Sequence, residues 1–161
     1  MVKKLERQWV PTPFGPFCLE GSTQGVYRVI FPRPSFRSKI AKKTVLRGEL
    51  TRAARLIQAY LKGKKVSFKG LRLDFTGLSF FERKVLALLV KVRSGQSISY
   101  RNLAIRAGSR RAARAVGNVM KKNRLPIILP CHRVVRSDGG LGDYSQGLAW
   151  KKRLLQLEKI R

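Results

Sequence analysis

Apolar and polar positions alternate in two short runs near the N-terminus, "FCLE" from Phe17 and "VYRVIF" from Val26, on either side of "GSTQG". Two period-2 runs of β-favouring residues around a loop with glycine at both ends predict a hairpin, with Cys18 as a small core residue of its first strand. The next stretch, "SFRSKIAKKT", is basic and aperiodic and predicts a loop or solvated edge. The pattern then changes period. Leu50, Ala53, Ala54, Ile57 and Leu61 recur at helical spacing, and Gly63 stands where a C-cap belongs. A short alternation, "VSFKGLRLDF", leads to Thr76 and Gly77, where the boundary between two domains, 1–76 and 77–161, is placed.

Beyond that boundary the pattern is helical. "SFFE" reads as a capping box with Ser79 as N-cap and Glu82 at N3, and Phe81, Val85, Leu88 and Val92 define one buried face closed by "SGQ". A short helix is predicted from Ser99 to Gly108 and a second one, capped by Ser109, over "RRAARAVGNVMKKN". Two short helices joined by a glycine-containing turn are the pattern of a helix-turn-helix. On the second, Arg110, Arg114, Asn118 and Lys121 share one face and Ala112, Val116 and Val119 lie roughly opposite. "RSDGGLGDYSQG" must be loop or hairpin. "LAWKKRLLQLEKIR" predicts a closing amphipathic helix burying Leu148, Leu154, Leu155 and Leu157. The expected class is α/β of the α+β kind: a small strand-rich N-terminal domain and a C-terminal winged helix-turn-helix domain.

Charge sharpens this picture. Among 161 residues, 36 Lys and Arg face 8 Asp and Glu, for a formal net charge of +28. Such an excess points to a polyanionic partner, nucleic acid first, because cationic side chains displace counterions condensed on phosphates. No apolar run approaches bilayer length and the first residues lack the apolar core of a secretory signal, so no membrane partner and a cytoplasmic location are expected. Two cysteines far apart in sequence argue for free thiols, and two Cys with one His fall short of the four ligands of a structural zinc site. No metal and no cofactor are expected.

The one histidine adjoins a cysteine in "LPCHRVV": Cys131, His132, Arg133. A cysteine hydrolase needs a histidine brought in from elsewhere in the chain. In an extended segment the two side chains point to opposite faces, so a water would have to link them. A thiolate used once is the simpler demand. Transfer of an alkyl group to sulfur forms a thioether that no side-chain acid or base hydrolyses, and Arg133 with the general positive field would help ionise the thiol. On the dipeptide alone a buried structural cysteine fits equally well.

Four stretches together, "ISYRNLAIRAG", "RAARAVGNVMKKN", "PIILPCHRVV" and "GGLGDYSQGLAWKKRLLQLE", resemble the C-terminal domain of the O6-alkylguanine-DNA alkyltransferases over Phe75 to Glu158. The resemblance implies DNA repair by direct transfer of an alkyl group from guanine O6, and from thymine O4, to Cys131, with base flipping and self-inactivation. It implies a proton relay from Cys131 through water to His132, oriented by Glu158, with Asn123 fixing the turn before the active-site strand. Arg114 would fill the gap left by the flipped nucleotide and Tyr100 would help rotate its phosphate, on a DNA-facing surface with Arg110, Asn118 and Lys121. Tyr144 and Ser145 would form a pocket wall, lined further by Met120, Pro126 and Val134. Asp143 and Gln146 stand where the family often has Asn and Gly. The implied partner is double-stranded DNA containing O6-alkylguanine, bound by a monomer, with cooperative assembly on DNA left open. The rival from another class is a non-catalytic helix-turn-helix DNA-binding protein.

Overall fold

The predicted hairpin forms, with the first strand two residues longer than its alternation implies and the second shifted one residue toward the turn. β1 (Glu6–Val10), β2 (Phe17–Ser22) and β3 (Gly25–Ile30) make one antiparallel sheet in the order β1-β2-β3, with Cys18 opposite Ile30 and Ser22 opposite Gly25. β1 was not expected: only Val10 in it is buried, and "ERQWV" has no apolar alternation to read. Cys18 is a buried strand thiol, as predicted. These descriptions come from a computed structural model covering residues 5–35 and 48–159, so the basic stretch from Phe36 onward lies outside the described residues.

α1 (Glu49–Leu61) buries the predicted Leu50, Ala53, Ala54, Ile57 and Leu61 against the sheet, together with Tyr60. Gly21 makes the approach close: a Cβ there would sit 2.8 Å from Leu50 Cγ. The alternation at 66–75 is not a strand. It contributes a single parallel bridge, Leu73 to Val26, with the Val26 N–H donating to the Arg72 carbonyl at 2.9 Å. Gly25, at φ +138°, permits this, since a Cβ would lie 2.2 Å from the Arg72 oxygen.

Residues 1–76 and 77–161 are two compact units. In the second, α2 (Phe80–Leu89) starts with the predicted capping box: Glu82 N–H donates to Ser79 Oγ at 3.2 Å and Ser79 N–H to Glu82 Oε2 at 2.8 Å. Its buried face is Val85, Leu86 and Leu89, while Phe81 and Leu88 are half-buried. The helix ends at Leu89, so Val92, though buried, is no longer in its register. β4 (Ile98–Ser99) leads into α3 (Tyr100–Arg106), capped by Ser99 Oγ, and α4 (Ala113–Lys122) follows. α2, α3 and α4 pack on one another.

Two expectations for α4 are corrected. Ser109 does not cap it: the helix starts four residues later with no side-chain cap, and Arg110 lies in the preceding turn rather than on its face. Chain from Gly108 to Ala112 is consumed in making the sharp turn between the two helices. Val116 and Val119 are buried as expected.

After α4, Cys131–Arg133 form a 3-10 turn rather than extended chain, and β5 (Val134–Val135) pairs in parallel with β4, Ile98 opposite Val134. This pairing brings the start of α3 beside the cysteine segment. α5 (Leu148–Leu157) packs on the 3-10 turn, burying Lys151, Leu154 and Leu155. Leu148 is 49% exposed, against expectation, because the first residue of the helix has nothing to pack on; Leu157 is half-buried. No helix among the described residues is long and apolar enough to cross a membrane.

Candidate active site

Two consecutive residues of the 3-10 turn, His132 and Arg133, are tied to the end of α5. The Glu158 carboxylate receives His132 Nε2 at 3.0 Å on Oε1, Arg133 Nη2 at 2.7 Å on the same oxygen, and Arg133 Nε at 2.8 Å on Oε2. Arg133 also donates to the Val92 carbonyl at 2.5 Å. His132 and Glu158 are fully enclosed. Glu158 is the α5 C-cap, held there by its N–H to the Leu154 carbonyl. A carboxylate surrounded by three donors fixes the imidazole as the Nε2–H tautomer and leaves Nδ1 as its basic nitrogen.

Burial pushes the His132 pKa below the usual histidine range, although Glu158 pulls it back up. The ring is therefore neutral at pH 7 and able to accept a proton. The same shift has a stability consequence. Below about pH 6.5 the unfolded chain takes up a proton at His132 that the folded one does not, so stability falls as pH drops through that window. Thermal midpoints measured from pH 7 downward should decline more steeply for the natural protein than for His132→Gln.

Cys131 is buried, and burial pushes its thiol upward; the polar side chains of Asn123 and Tyr144 and the positive charge of Lys151 pull it back down. The arginine expected to activate the thiol is instead committed to Glu158. The cation that acts on the thiol is Lys151, which sequence reading missed. Its ammonium is fully enclosed, donates to the Val134 carbonyl at 2.6 Å and to those of Leu141 and Asp143, and stands 5.8 Å from the Tyr100 ring centre. Burial lowers its pKa to about 8. The signal was present: Lys151 lies three and four residues before Leu154 and Leu155, on the apolar face of α5.

Asn123 closes the segment before the cysteine. Its Nδ2 donates to the Leu129 carbonyl at 2.9 Å and its Oδ1 accepts from the Leu125 N–H at 3.0 Å, both in the interior. Asn123→Ala orphans two buried backbone groups and is expected to lower stability by about 2–4 kcal/mol, a loss that chemical denaturation would measure.

Tyr100, half-buried at the first turn of α3, donates to the Asp143 carbonyl at 3.3 Å. Gly142, at φ +66°, lies so close that a Cβ would meet the Tyr100 ring at 2.8 Å. Tyr144 is half-buried beside the thiol, and Ser145 is exposed with its hydroxyl accepting from Gln146 at 3.4 Å. Met120, Pro126 and Val134 are buried. Arg114, Asn118 and Lys121 are exposed on α4, with Arg110 in the turn before it. Gly117 falls among them and was overlooked. Nothing lies within 4 Å of its would-be Cβ, so this face is open to close approach by a flat or ridged partner.

Residues 80–160 match the family described as 6-O-methylguanine DNA methyltransferase, DNA binding domain. The chain is 36% identical over 151 residues to the methylated-DNA–protein-cysteine methyltransferase of Methanosarcina barkeri, covering 93% of this chain and 94% of that one. The chain belongs to this methyltransferase family. The human methylated-DNA–protein-cysteine methyltransferase is 54% identical over 82 residues, 50% of this chain and 40% of the human protein's length. The fold of the Mycobacterium tuberculosis OGT solved in complex with DNA superposes with a TM-score of 0.79 at 31% identity, covering 95% of this chain and 92% of that one. Membership in the methyltransferase family accords with the mixed α and β architecture expected from the sequence.

Proposed function

We propose that the protein repairs DNA by transferring the alkyl group from O6 of guanine, and from O4 of thymine, in duplex DNA to Cys131 Sγ. The observation that carries this reading is the enclosed His132–Glu158–Arg133 cluster, in which both carboxylate oxygens accept hydrogen bonds, adjoining a buried cysteine in a chain of this family. Sulfur attacks the alkyl carbon, the carbon–oxygen bond breaks with its electron pair going to guanine, and a thioether forms. The thiol proton passes through water to Nδ1 of neutral His132, and the restored guanine takes up a proton, so no net proton is lost. The Lys151 ammonium favours the thiolate as it develops. Nothing in the cluster hydrolyses a thioether, so each molecule acts once.

A guanine O6 inside a base stack is out of reach, so the nucleotide has to be turned out. Arg114 is the side chain to occupy the gap, with Arg110, Asn118 and Lys121 holding the flanking backbone. Tyr100 and Tyr144, with Ser145, would hold the extruded base, and Met120, Pro126 and Val134 supply the apolar surround. Residues 77–161 thus carry recognition and chemistry, and the protein acts as a cytoplasmic monomer.

The test is the intact mass of the protein after incubation with duplex DNA holding one O6-methylguanine, followed by peptide mapping. One added methyl on the Cys131 peptide with guanine restored is the expected outcome. Tight binding with no mass change would leave the rival, a helix-turn-helix protein that only binds.

A further inference from the structure

The positive charge is not confined to the unit that holds the cysteine. Residues 1–76 contain 17 Lys and Arg against 4 Asp and Glu, and residues 77–161 contain 19 against 4. Recognition and chemistry occupy the second unit, yet the first carries nearly half of an excess far beyond what solubility asks of a small domain.

Within the described part of that first unit the cations gather on α1 and the loop after it. From Glu49 to Leu73 there are seven cations and one carboxylate. Glu49 is already engaged, with Arg52 and Arg72 each at 4.0 Å. Arg55, Lys62, Lys64, Lys65 and Lys69 are exposed and have no ion pair among the described residues. The loop that presents the lysines is pinned to α1. Lys64 N–H donates to the Ala59 carbonyl at 3.1 Å, the Phe68 ring packs tilted against Tyr60 with 6.2 Å between ring centres, and Arg52 donates to the Gly70 carbonyl at 2.9 Å. Gly63, at φ +77°, makes the turn. Cations held on an ordered backbone lose less freedom on binding than cations on a free tail.

We propose that this surface is a second nucleic-acid contact, which grips duplex phosphates without regard to sequence. It rests on the reading that the protein acts on DNA and adds to it a residue set separate from α4. The chemistry favours a duplex over a lipid surface. The large apolar side chains that stand exposed among the described residues are Phe80, Val90, Ile105 and Leu148, all in the second unit, so the described residues of this surface offer no exposed apolar anchor to insert. A duplex presents a regular array of phosphates, about one charge per 1.7 Å of axis, that a compact cluster of cations can meet.

The full chain and the variant K62Q/K64Q/K65Q/K69Q would be compared on a short duplex and on one several helical turns longer, each with one O6-methylguanine, over a salt series. On the longer duplex the slope of log K against log salt should become shallower by about 2–4 in the variant. Methyl transfer to Cys131 from the short duplex should be unaltered, and K62R/K64R/K65R/K69R should keep the natural slope. An unchanged slope in the glutamine variant, with methyl transfer intact, would overturn this inference and leave the repair reading standing; absence of transfer in the natural protein would instead strike the repair reading. Retention of the natural protein on phosphatidylserine vesicles, lost in the glutamine variant whose DNA slope is unchanged, would assign the surface to a membrane and likewise overturn it.

Discussion

Glu158→Ala is expected to cost about 3–5 kcal/mol of stability, because it leaves the Arg133 guanidinium and the His132 ring in the interior without the carboxylate that receives them. That loss corresponds to a fall of on the order of 10–40 °C in the unfolding midpoint of a unit this size. Glu158→Gln separates charge from shape. All three groups facing the carboxylate are donors, so either orientation of an amide sets its NH2 against an N–H of Arg133 or His132. The amide variant should therefore lie between the natural protein and the alanine variant. Transfer should fall in both by on the order of 10²–10⁴, since an imidazole without its anchor loses orientation and basicity. A natural unfolding midpoint in Glu158→Ala would show that the cluster does not hold α5 to the 3-10 turn.

The same cluster explains what the sequence disclosed and what it hid. Local signals survived folding: the Ser79 and Glu82 capping box, the apolar stripe of α1 and the hairpin around Thr23 and Gln24 are all present. Each is decided by residues within a turn or two of one another. Around the cysteine the failures arose where distant partners decide. Lys151 looks like a solvated lysine until three carbonyls from the loop before α5 and from β5 converge on it. Arg133 looks like a general positive influence on its neighbour until Glu158 claims it. The extended chain assumed around Cys131 is a 3-10 turn because the backbone from Leu125 to Pro130 closes on itself, Leu129 N–H to the Leu125 carbonyl at 2.8 Å and Arg133 N–H to the Pro130 carbonyl at 3.0 Å. β1 left no trace, being an edge strand whose mostly polar residues need no apolar partner.

Cys131→Ser is expected to abolish alkyl transfer, by about 10⁴-fold or more, while leaving DNA binding in place. A hydroxyl is a far weaker nucleophile than a thiolate, and the devices that act on the sulfur cannot bring a serine to the same state: burial opposes ionisation, and Asn123, Tyr144 and Lys151 offset it only in part. The variant should fold. The polar side chains of Asn123 and Tyr144 adjoin the sulfur, so a hydroxyl in its place does not enter a purely apolar setting, and the unfolding free energy should change by no more than about 1–2 kcal/mol. A folded, DNA-binding variant with no transfer isolates the chemistry from the recognition. The measurement is the fraction of protein carrying a methyl group after a long incubation with damaged duplex, read beside the binding isotherm of the same sample. Transfer persisting in Cys131→Ser would move the acceptor elsewhere in the chain, and the other thiol, Cys18 in β2, would be the next residue to replace.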